Sequence, residues 1–368
     1  MGTERAQHLQ QPTFRGVQAL RGVAALMVVA HHATILSFSR LGDPARIWLN
    51  GTAGVDIFFV ISGFVMALST QAVSRSPAGA KGFLVRRVER LAPLYWLFTT
   101  MKVLLLLRYS SMAVHGLGNH WNVVASYFFL PSSNASSGIY PVLEVGWTLI
   151  FEMMFYVLLA AALAVRLAPF RTLTIVLVSI AFLSLFLPVQ TNAFCSLFNP
   201  ISLEFLYGML LHAAFVRRLK VLSYAKWLAP VGIAVILTTI PPVSLRPITW
   251  GLAALSIVAA AVALESSVGS YLPRWVLNLG NSSYSLYLSH PFLVAALGMV
   301  MIRLHVYGAH AWIPAVLSSL VVCSLAGEVI YRSLEFPMLR FFASKRRKRL
   351  ITPEYPHGAA ESNVPSSS

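Results

Sequence analysis

Long apolar stretches alternate with short polar segments along nearly the whole chain. Each stretch is close to the twenty or so residues that an α-helix needs to cross a bilayer. We place ten of them, at 17–38, 52–71, 91–107, 145–165, 171–189, 200–216, 227–241, 247–265, 281–302 and 311–333. The pattern predicts an all-α, polytopic integral membrane protein with about ten transmembrane helices.

The composition supports the same fold class. The chain has 368 residues, of which 57% are hydrophobic and only 11% are charged. Soluble domains carry about 25% charged residues, so a soluble fold is excluded. Cys195 and Cys323 are its two cysteines. Two cysteines cannot build a disulfide scaffold or a multi-cysteine metal site, and we predict no metal.

The net charge of +16 would suit a nucleic-acid-binding protein, but its distribution argues against that function. When the predicted spans are followed from side to side, one side of the membrane keeps six of the 28 basic residues, namely Arg40, Arg46, Lys102, Arg108, Arg246 and Arg303. Cytoplasmic loops carry the excess of Lys and Arg, so both termini are predicted to be cytoplasmic. The basic run at 345–349 then resembles a membrane-surface anchor.

These assignments divide the chain into three parts. Residues 1–16 form a cytoplasmic N-terminal segment, and residues 17–340 form the transmembrane domain. Residues 341–368 form a cytoplasmic tail that is first basic and then polar, and whose polar part is predicted to be disordered.

Ionisable side chains in the first span suggest a function. Arg21 and His32 are eleven residues apart, close to three helical turns, so they share one face and lie about 16 Å apart along the axis. His31 points about 100° away. Two interpretations are open: the face belongs to a functional site, or Arg21 extends to the headgroups while His32 bonds a neighbouring helix.

Four further ionisable residues fall inside other predicted spans, namely Asp56, Glu152, Glu204 and His290. Such residues normally face the interior of a helical bundle and mark functional pathways. Together they predict a polar interior site, although a structural hydrogen bond between helices explains any one of them equally well.

Arg87 and Arg90 stand at the cytoplasmic start of the third span. Residues three apart are neighbours on a helix, and two arginines can hold phosphate oxygens in a bidentate manner. The pair therefore suggests an anion clamp. An ordinary anchor at the basic side of the membrane is the alternative.

In this combination the segments resemble the membrane-bound acyltransferase family 3, within its exopolysaccharide-acetylating (ExoZ-like) branch. The family's basic residue, ten residues and histidine match Arg21 and His32, and its R-x-x-R motif matches Arg87 and Arg90. The stretches "GVDIFFVISGF", "GWTLIFEMMFY", "EFLYGM" and "LGNSSYSLYLSHP" follow in the family's order, across roughly 15–340. One departure is Met153, which follows Glu152 where many members have a second carboxylate.

The resemblance implies transfer of an acetyl group from cytoplasmic acetyl-CoA to a hydroxyl of a cell-surface or exported polysaccharide, or of its lipid-linked precursor. It implies a location in the bacterial cytoplasmic (inner) membrane. The partners would be acyl-CoA, a carbohydrate acceptor and the lipid bilayer, with no nucleic acid.

Roles follow from the resemblance for ten residues. Arg21, Arg87 and Arg90 are expected to hold the phosphates of the donor. His32 is expected to be the general base, with Glu152 or Asp56 orienting its imidazole. Ser62, Trp147, Glu204 and His290 are expected to contact substrate. An acyl-enzyme intermediate remains an alternative to direct transfer.

Two other functions compete with this one. Buried Glu and His residues also build proton relays, which would suit a proton-coupled transporter or exporter of a glycan or small molecule. A non-catalytic partner in a polysaccharide-synthesis complex is the other alternative. Release of coenzyme A would distinguish the enzyme from both.

Overall fold

The fold was obtained as a computed structural model, which describes residues 14–44, 47–71, 73–108, 120–134, 138–187 and 192–351, with side chains up to residue 346. α-Helices joined by short turns make up most of this part of the chain. The remaining residues, which include most of the predicted segment 1–16 and most of the predicted tail, lie outside the description.

Eight helical segments are long and apolar enough to cross a membrane. They contain the helices α1 (Arg15–Arg40), α2 (Ala53–Thr70), α3 (Pro77–Arg108), α5 (Trp147–Ala164), α7 (Leu203–Val216), α8 (Ala225–Thr238), α12 (Ser283–Arg303) and α13 (Trp312–Ile330). The other helices are α4 (His120–Tyr127), α6 (Pro169–Leu183), α9 (Leu252–Ala263), α10 (Glu265–Val268), α11 (Arg274–Asn281) and α14 (Phe336–Ile351).

The prediction of ten spans exceeds what the described helices provide, which is eight or nine. The ninth is a bent pair, Pro247–Ala263 followed by Glu265–Tyr271, with an angle of 53° between its parts. The predicted span 171–189 corresponds to α6, which has 15 residues. Fifteen residues rise only about 22 Å, less than the thickness of the hydrocarbon core. The cytoplasmic position of both termini stays a prediction.

The last predicted span, 311–333, continues further than its apolar pattern suggested. Helix α13 passes through a π-helical turn, Tyr331–Glu335, into α14, which ends at Ile351. The part of the predicted tail up to residue 351 is therefore helical. Arg346 near the end of this helix pairs with Glu89 of α3.

Helix α1 lies at the centre of the bundle, where it contacts α2, α11, α12 and α13. Small residues such as Gly22, Ala24 and Ala25 are buried on its surface. Small side chains let helix backbones approach closely, which drives association where lipid removes the hydrophobic gain between helices. Arg21 and His32 therefore both reach the protein interior from one continuous helix.

The contacts between loops sort the bundle into two ends. At one end the backbone amides of Arg15 and Gly16 donate to the carboxylate of Glu265. At the other end the amide of Trp312 donates to Asp43, at 2.8 Å. These pairings bring together the loops that the charge distribution assigns to the same side.

Helices α2 and α7 make the most extensive contact between two helices, and glycines permit it. A Cβ at Gly63 would collide with the carbonyl oxygen of Phe205, and one at Gly208 would collide with the carbonyl oxygen of Val60. Both obstacles are backbone atoms, which cannot turn aside. The approach of α2 to α7 thus depends on glycine at both positions.

We expect Gly208→Ala to lower the thermal unfolding midpoint of the purified protein, because the new methyl group forces the two backbones apart. Gly82→Ala is the matched control, since its methyl group would meet only the end of the Arg86 side chain. Alanine in a helix is favoured over glycine by about 1 kcal/mol, so the control should be neutral or slightly stabilising. Equal midpoints for the two variants would contradict the close approach.

Candidate active site

A cavity opens between helices α1, α2, α3, α5 and α12 and has a volume of about 90 Å³. Its wall includes five of the residues that the sequence singled out, namely Arg21, Ser62, Arg87, Arg90 and Glu152. Four helices therefore converge on one space, as the ionisable residues of separate spans predicted.

Three arginines form one end of this cavity. Nη2 of Arg87 donates to Oγ of Ser69 at 2.7 Å, and its guanidinium lies 5.7 Å from the ring centre of Tyr156. Arg21 and Arg90 are close enough for their like charges to repel. Holding like charges together costs free energy, which a bound anion would recover.

Two carboxylates face these arginines. Glu152 accepts hydrogen bonds from Oγ of Ser62, at 3.3 Å, and from the hydroxyl of Tyr156. Glu335 is buried and accepts from Oγ of Ser285 at 2.5 Å, within electrostatic range of Arg90 and Arg21. The carboxylates offset only part of the positive charge, so this end of the cavity suits a polyanion.

His32 lies in a cluster of three histidines. Its Nδ1 is 2.9 Å from the carbonyl oxygen of Val28. Its ring centre is 4.8 Å from that of His290 and 5.1 Å from that of His31. Because a carbonyl only accepts, Nδ1 carries the proton in the neutral ring, and Nε2 keeps its lone pair.

One layer of side chains separates the cavity from His32. Tyr287 lines the cavity, and its ring centre lies 5.7 Å from that of His290, which in turn contacts His32. The hydroxyls of Tyr287 and Thr148 are 3.1 Å apart, and both residues line the cavity. The cavity thus leads from the arginines towards the histidines between α2, α5 and α12.

Asp56 lies elsewhere, in an ion pair with Arg246. Nε of Arg246 donates to one oxygen of Asp56 at 2.9 Å, and Nη2 donates to the other at 2.7 Å. The Asp56 side chain is fully buried, and Glu204 lies beside this pair. Asp56 was expected to orient His32, but the structure pairs this carboxylate with Arg246, and Nδ1 of His32 with the Val28 carbonyl.

Glu152 does not orient His32 either. The partner of Nδ1 is the Val28 carbonyl, and Glu152 is held by Ser62 and Tyr156. A backbone group of α1 itself therefore fixes the tautomer. Of the two carboxylates that were expected to orient it, Glu152 lies at the arginine cluster and Asp56 lies in the ion pair with Arg246.

The remaining predicted substrate contacts lie behind the cavity wall. Trp147 packs against Phe59, with ring centres 6.4 Å apart, and Phe59 lines the cavity. His290 is fully buried, with Nδ1 2.7 Å from the Tyr287 carbonyl oxygen. Glu204 is fully buried in the Asp56 cluster. Substrate contact by these three residues stays a prediction.

Sequence reasoning missed two residues of the arginine end. Tyr156 follows Glu152 by four residues, so helical spacing alone would have placed it on the same face. Glu335 lies beyond residue 333, where the last span was predicted to end. The π-helical turn at Tyr331–Glu335 carries it into the bundle, and such turns often occur at functional sites.

Within the described residues, no group of three or more His, Cys, Asp or Glu side chains is arranged to hold a metal ion. That statement covers the cluster of His31, His32 and His290, whose rings meet edge to face.

Comparison with known proteins adds a family to this geometry. The family described as "Acyltransferase domain" matches residues 14–328. The exopolysaccharide production protein ExoZ of Rhizobium meliloti strain 1021 is 32% identical over 324 residues, which cover 84% of this chain and 95% of that protein. No solved structure matches the chain.

Two further relatives match a smaller part of the chain. The peptidoglycan O-acetyltransferase OatA of Listeria monocytogenes is 29% identical over 161 residues, or 40% of this chain and 24% of that protein. The putative membrane-bound transacylase BcsY of Komagataeibacter xylinus is 30% identical over 159 residues, or 39% of this chain and 36% of that protein.

The ion pair of Asp56 and Arg246 allows a test of whether Asp56 has a structural or a catalytic role. Asp56→Asn should lower the free energy of unfolding by about 3–5 kcal/mol, because it removes the charged partner of a guanidinium whose side chain is only 18% exposed. The double variant Asp56→Asn/Arg246→Leu should be more stable than the sum of the single changes implies. The measurement is chemical or thermal unfolding in detergent.

The control is Arg332→Gln, which breaks an exposed pair with Glu328 and should cost less than about 1 kcal/mol. If Asp56→Asn abolished activity at unchanged stability, Asp56 would belong to the catalytic machinery after all.

Proposed function

The chain belongs to the membrane acyltransferase 3 family, and we propose that it moves an acetyl group from acetyl-CoA to a hydroxyl of a polysaccharide or of its lipid-linked precursor. The family places the protein among acyltransferases rather than transporters. Its multi-pass architecture makes it a membrane enzyme. The acetyl donor, the acceptor class and the bacterial inner membrane are the proposed parts.

The observation that carries the proposal is the polarity of the cavity. One end holds Arg21, Arg87 and Arg90, and the other end, at Thr148 and Tyr287, approaches the histidines. Coenzyme A has the matching polarity, with phosphates at one end and a thioester at the other. Arginine forks bind phosphate oxygens in a bidentate manner, so the phosphates belong at the arginine end.

Helix α1 sets the distance between the two ends. Arg21 and His32 lie about 16 Å apart along its axis, and the apolar wall between them suits an uncharged, extended arm. We place the pantetheine arm along this wall, past Phe58 and Phe59. The thioester then reaches the layer formed by Tyr287 and His290, next to His32.

The reaction we propose is direct attack of the acceptor hydroxyl on the thioester carbonyl carbon. Nε2 of His32 takes the hydroxyl proton as the new C–O bond forms. The C–S bond then breaks, and the proton passes from His32 to the departing thiolate. The hydrogen bond from Nδ1 to the Val28 carbonyl holds the proton on Nδ1, so that Nε2 presents its lone pair before the first proton transfer and again after the second.

Glu144 supports the charged state of this base. It precedes α5 and lies within electrostatic range of His32. A negative charge there favours the imidazolium that exists between the two proton transfers. Glu144 therefore acts through its charge alone, while the Val28 carbonyl orients the imidazole, which is the part that the sequence had given to Asp56 or Glu152.

The acceptor class rests on the relatives. One relative is named for exopolysaccharide production and another for O-acetylation of peptidoglycan, so both names concern cell-surface glycans. A hydroxyl of such a glycan is the proposed acceptor. His32 lies in the half of α1 farther from the arginines, so the acceptor would approach from the opposite end to the donor phosphates.

His32→Ala should lower the rate of coenzyme A release from acetyl-CoA by about 10²–10⁴-fold, because the general base is lost. Cell-envelope glycans serve as the acceptor in this assay. His31→Asn is the matched control: Nδ1 of His31 lies 3.1 Å from the Trp48 carbonyl oxygen, and the asparagine amide can still donate a hydrogen bond to that carbonyl. We expect it to keep most of the activity. A folded His32→Ala protein with normal transfer would overturn the mechanism.

Arg90→Gln should raise the KM for acetyl-CoA by about tenfold or more while kcat changes less, since charged hydrogen bonds contribute about 1.5–3 kcal/mol to binding. Arg86→Gln, an exposed neighbour on the same helix, is the control and should behave as the wild type. Binding of radiolabelled acetyl-CoA gives a second readout that needs no acceptor. Unchanged donor affinity in Arg90→Gln would exclude the arginine end as the phosphate site.

A further inference from the structure

A second cavity lies on the other side of α2, between α5, α6 and α7. It has a volume of about 230 Å³. Its floor is apolar and includes Phe155, Leu159, Leu163 and Met209, while Arg75 and His212 add polar groups. None of its lining residues belongs to the donor cavity.

An aromatic stack forms the wall between the two cavities. Phe155 of the second cavity stacks on Phe205 with ring centres 4.8 Å apart, and Phe205 stacks on Phe59 of the donor cavity at 4.6 Å. Phe205 itself is fully buried. Because stacked rings fill this wall, a molecule in the second cavity would not be part of the donor site.

His212 is the polar group that calls for a ligand. Only 7% of this residue is exposed, and it lines the second cavity. Its Nε2 is buried and has no hydrogen-bond partner among the described residues. Its other neighbour is the ring of Phe64, at 5.9 Å, which offers no conventional acceptor. Leaving such a nitrogen unsatisfied costs about 1–3 kcal/mol, so a ligand oxygen would be stabilised there.

The rim of the cavity adds a positive charge at the basic end of the bundle. Arg75 is exposed and lines the cavity next to Thr70 and Gln71, at the end of α2. The same end carries Arg87 of the donor cavity, and the charge distribution assigns it to the cytoplasm. The cavity therefore combines an apolar floor, one cationic rim residue and one buried hydrogen-bonding group.

The helix in front of the cavity faces outward with apolar side chains. On α6, Ile175 is 66% exposed and Phe182 is 59% exposed, while Phe170 of the same helix lines the rim. Apolar exposure of this extent on a membrane protein marks contact with lipid chains. The cavity is thus next to the bilayer rather than next to an aqueous channel.

From these observations we infer that the second cavity is a binding site for an anionic phospholipid of the cytoplasmic leaflet. The headgroup phosphate pairs with Arg75, and an acyl chain lies along Leu159, Leu163 and Met209. Nε2 of His212 donates to an ester or phosphate oxygen. The site is independent of the proposed transfer reaction.

The test is native mass spectrometry of the detergent-purified protein with phosphatidylglycerol, with phosphatidylcholine of the same chains, and with glycerol phosphate. The wild type should bind phosphatidylglycerol at least about tenfold more tightly than phosphatidylcholine, because the choline cation of phosphatidylcholine offsets the phosphate charge that Arg75 meets, whereas phosphatidylglycerol keeps its net negative charge. Arg75→Gln should lose this preference, and His212→Phe should weaken binding of both lipids.

Arg274→Gln is the matched control, since it removes an exposed charge from the basic end but does not line the cavity. Ala67→Leu narrows the cavity without removing a polar group, and it should also weaken lipid binding. This variant replaces His212→Phe in the test if His212→Phe does not fold. Equal retention of phosphatidylglycerol by wild type, Arg75→Gln and Ala67→Leu would overturn the proposal. Competition by glycerol phosphate would overturn it too, because a soluble phosphate would then be the ligand.

Discussion

The cost of an unpaired charge inside a bilayer governs how the interior of this protein is arranged. With no water in the hydrocarbon region, each ionisable side chain must find its partner within the bundle or line a wetted cavity. Arg246 and Asp56 satisfy each other through two hydrogen bonds. The positive charge of the three arginines of the cavity is neutralised only in part, by the carboxylates of Glu152 and Glu335 opposite them. The Asp56–Arg246 pair therefore needs no further partner, whereas the arginines of the cavity keep positive charge that a ligand can neutralise.

That difference separates structural from functional groups better than residue type does. Asp56 and Glu152 are both carboxylates near the ends of apolar helices, and both seemed suited to orient His32. The structure gives Asp56 a complete partner and gives Glu152 two hydroxyls beside a group of cations. A carboxylate among cations tunes how much positive charge a ligand meets. A carboxylate with its own arginine holds α2 to the turn that precedes α9.

Much of this was accessible from the sequence, and the remainder has a physical reason. The apolar lengths gave the helices, and the eleven-residue spacing put Arg21 and His32 on one continuous α1. The partners across helices were not accessible, because no pattern within one helix records which helix lies opposite. No residue near Asp56 in the sequence indicates that its partner is Arg246, which lies 190 residues away. The predicted number of spans was wrong at α6. The apolar stretch 171–189 is long enough to cross a membrane, but the helix that it forms has only 15 residues.

Helix α12 is what joins the cavity to the proposed base. Tyr287 and His290 are three residues apart, so they lie on neighbouring positions of one face. The Tyr287 hydroxyl is tied to the start of α5 through the Val145 carbonyl, at 3.0 Å, and His290 is tied back to the Tyr287 carbonyl. Neither ring can therefore move alone. Any rotation of α12 that opened the Tyr287 layer would also shift His290 against His32, so access to the base and the position of the base change together.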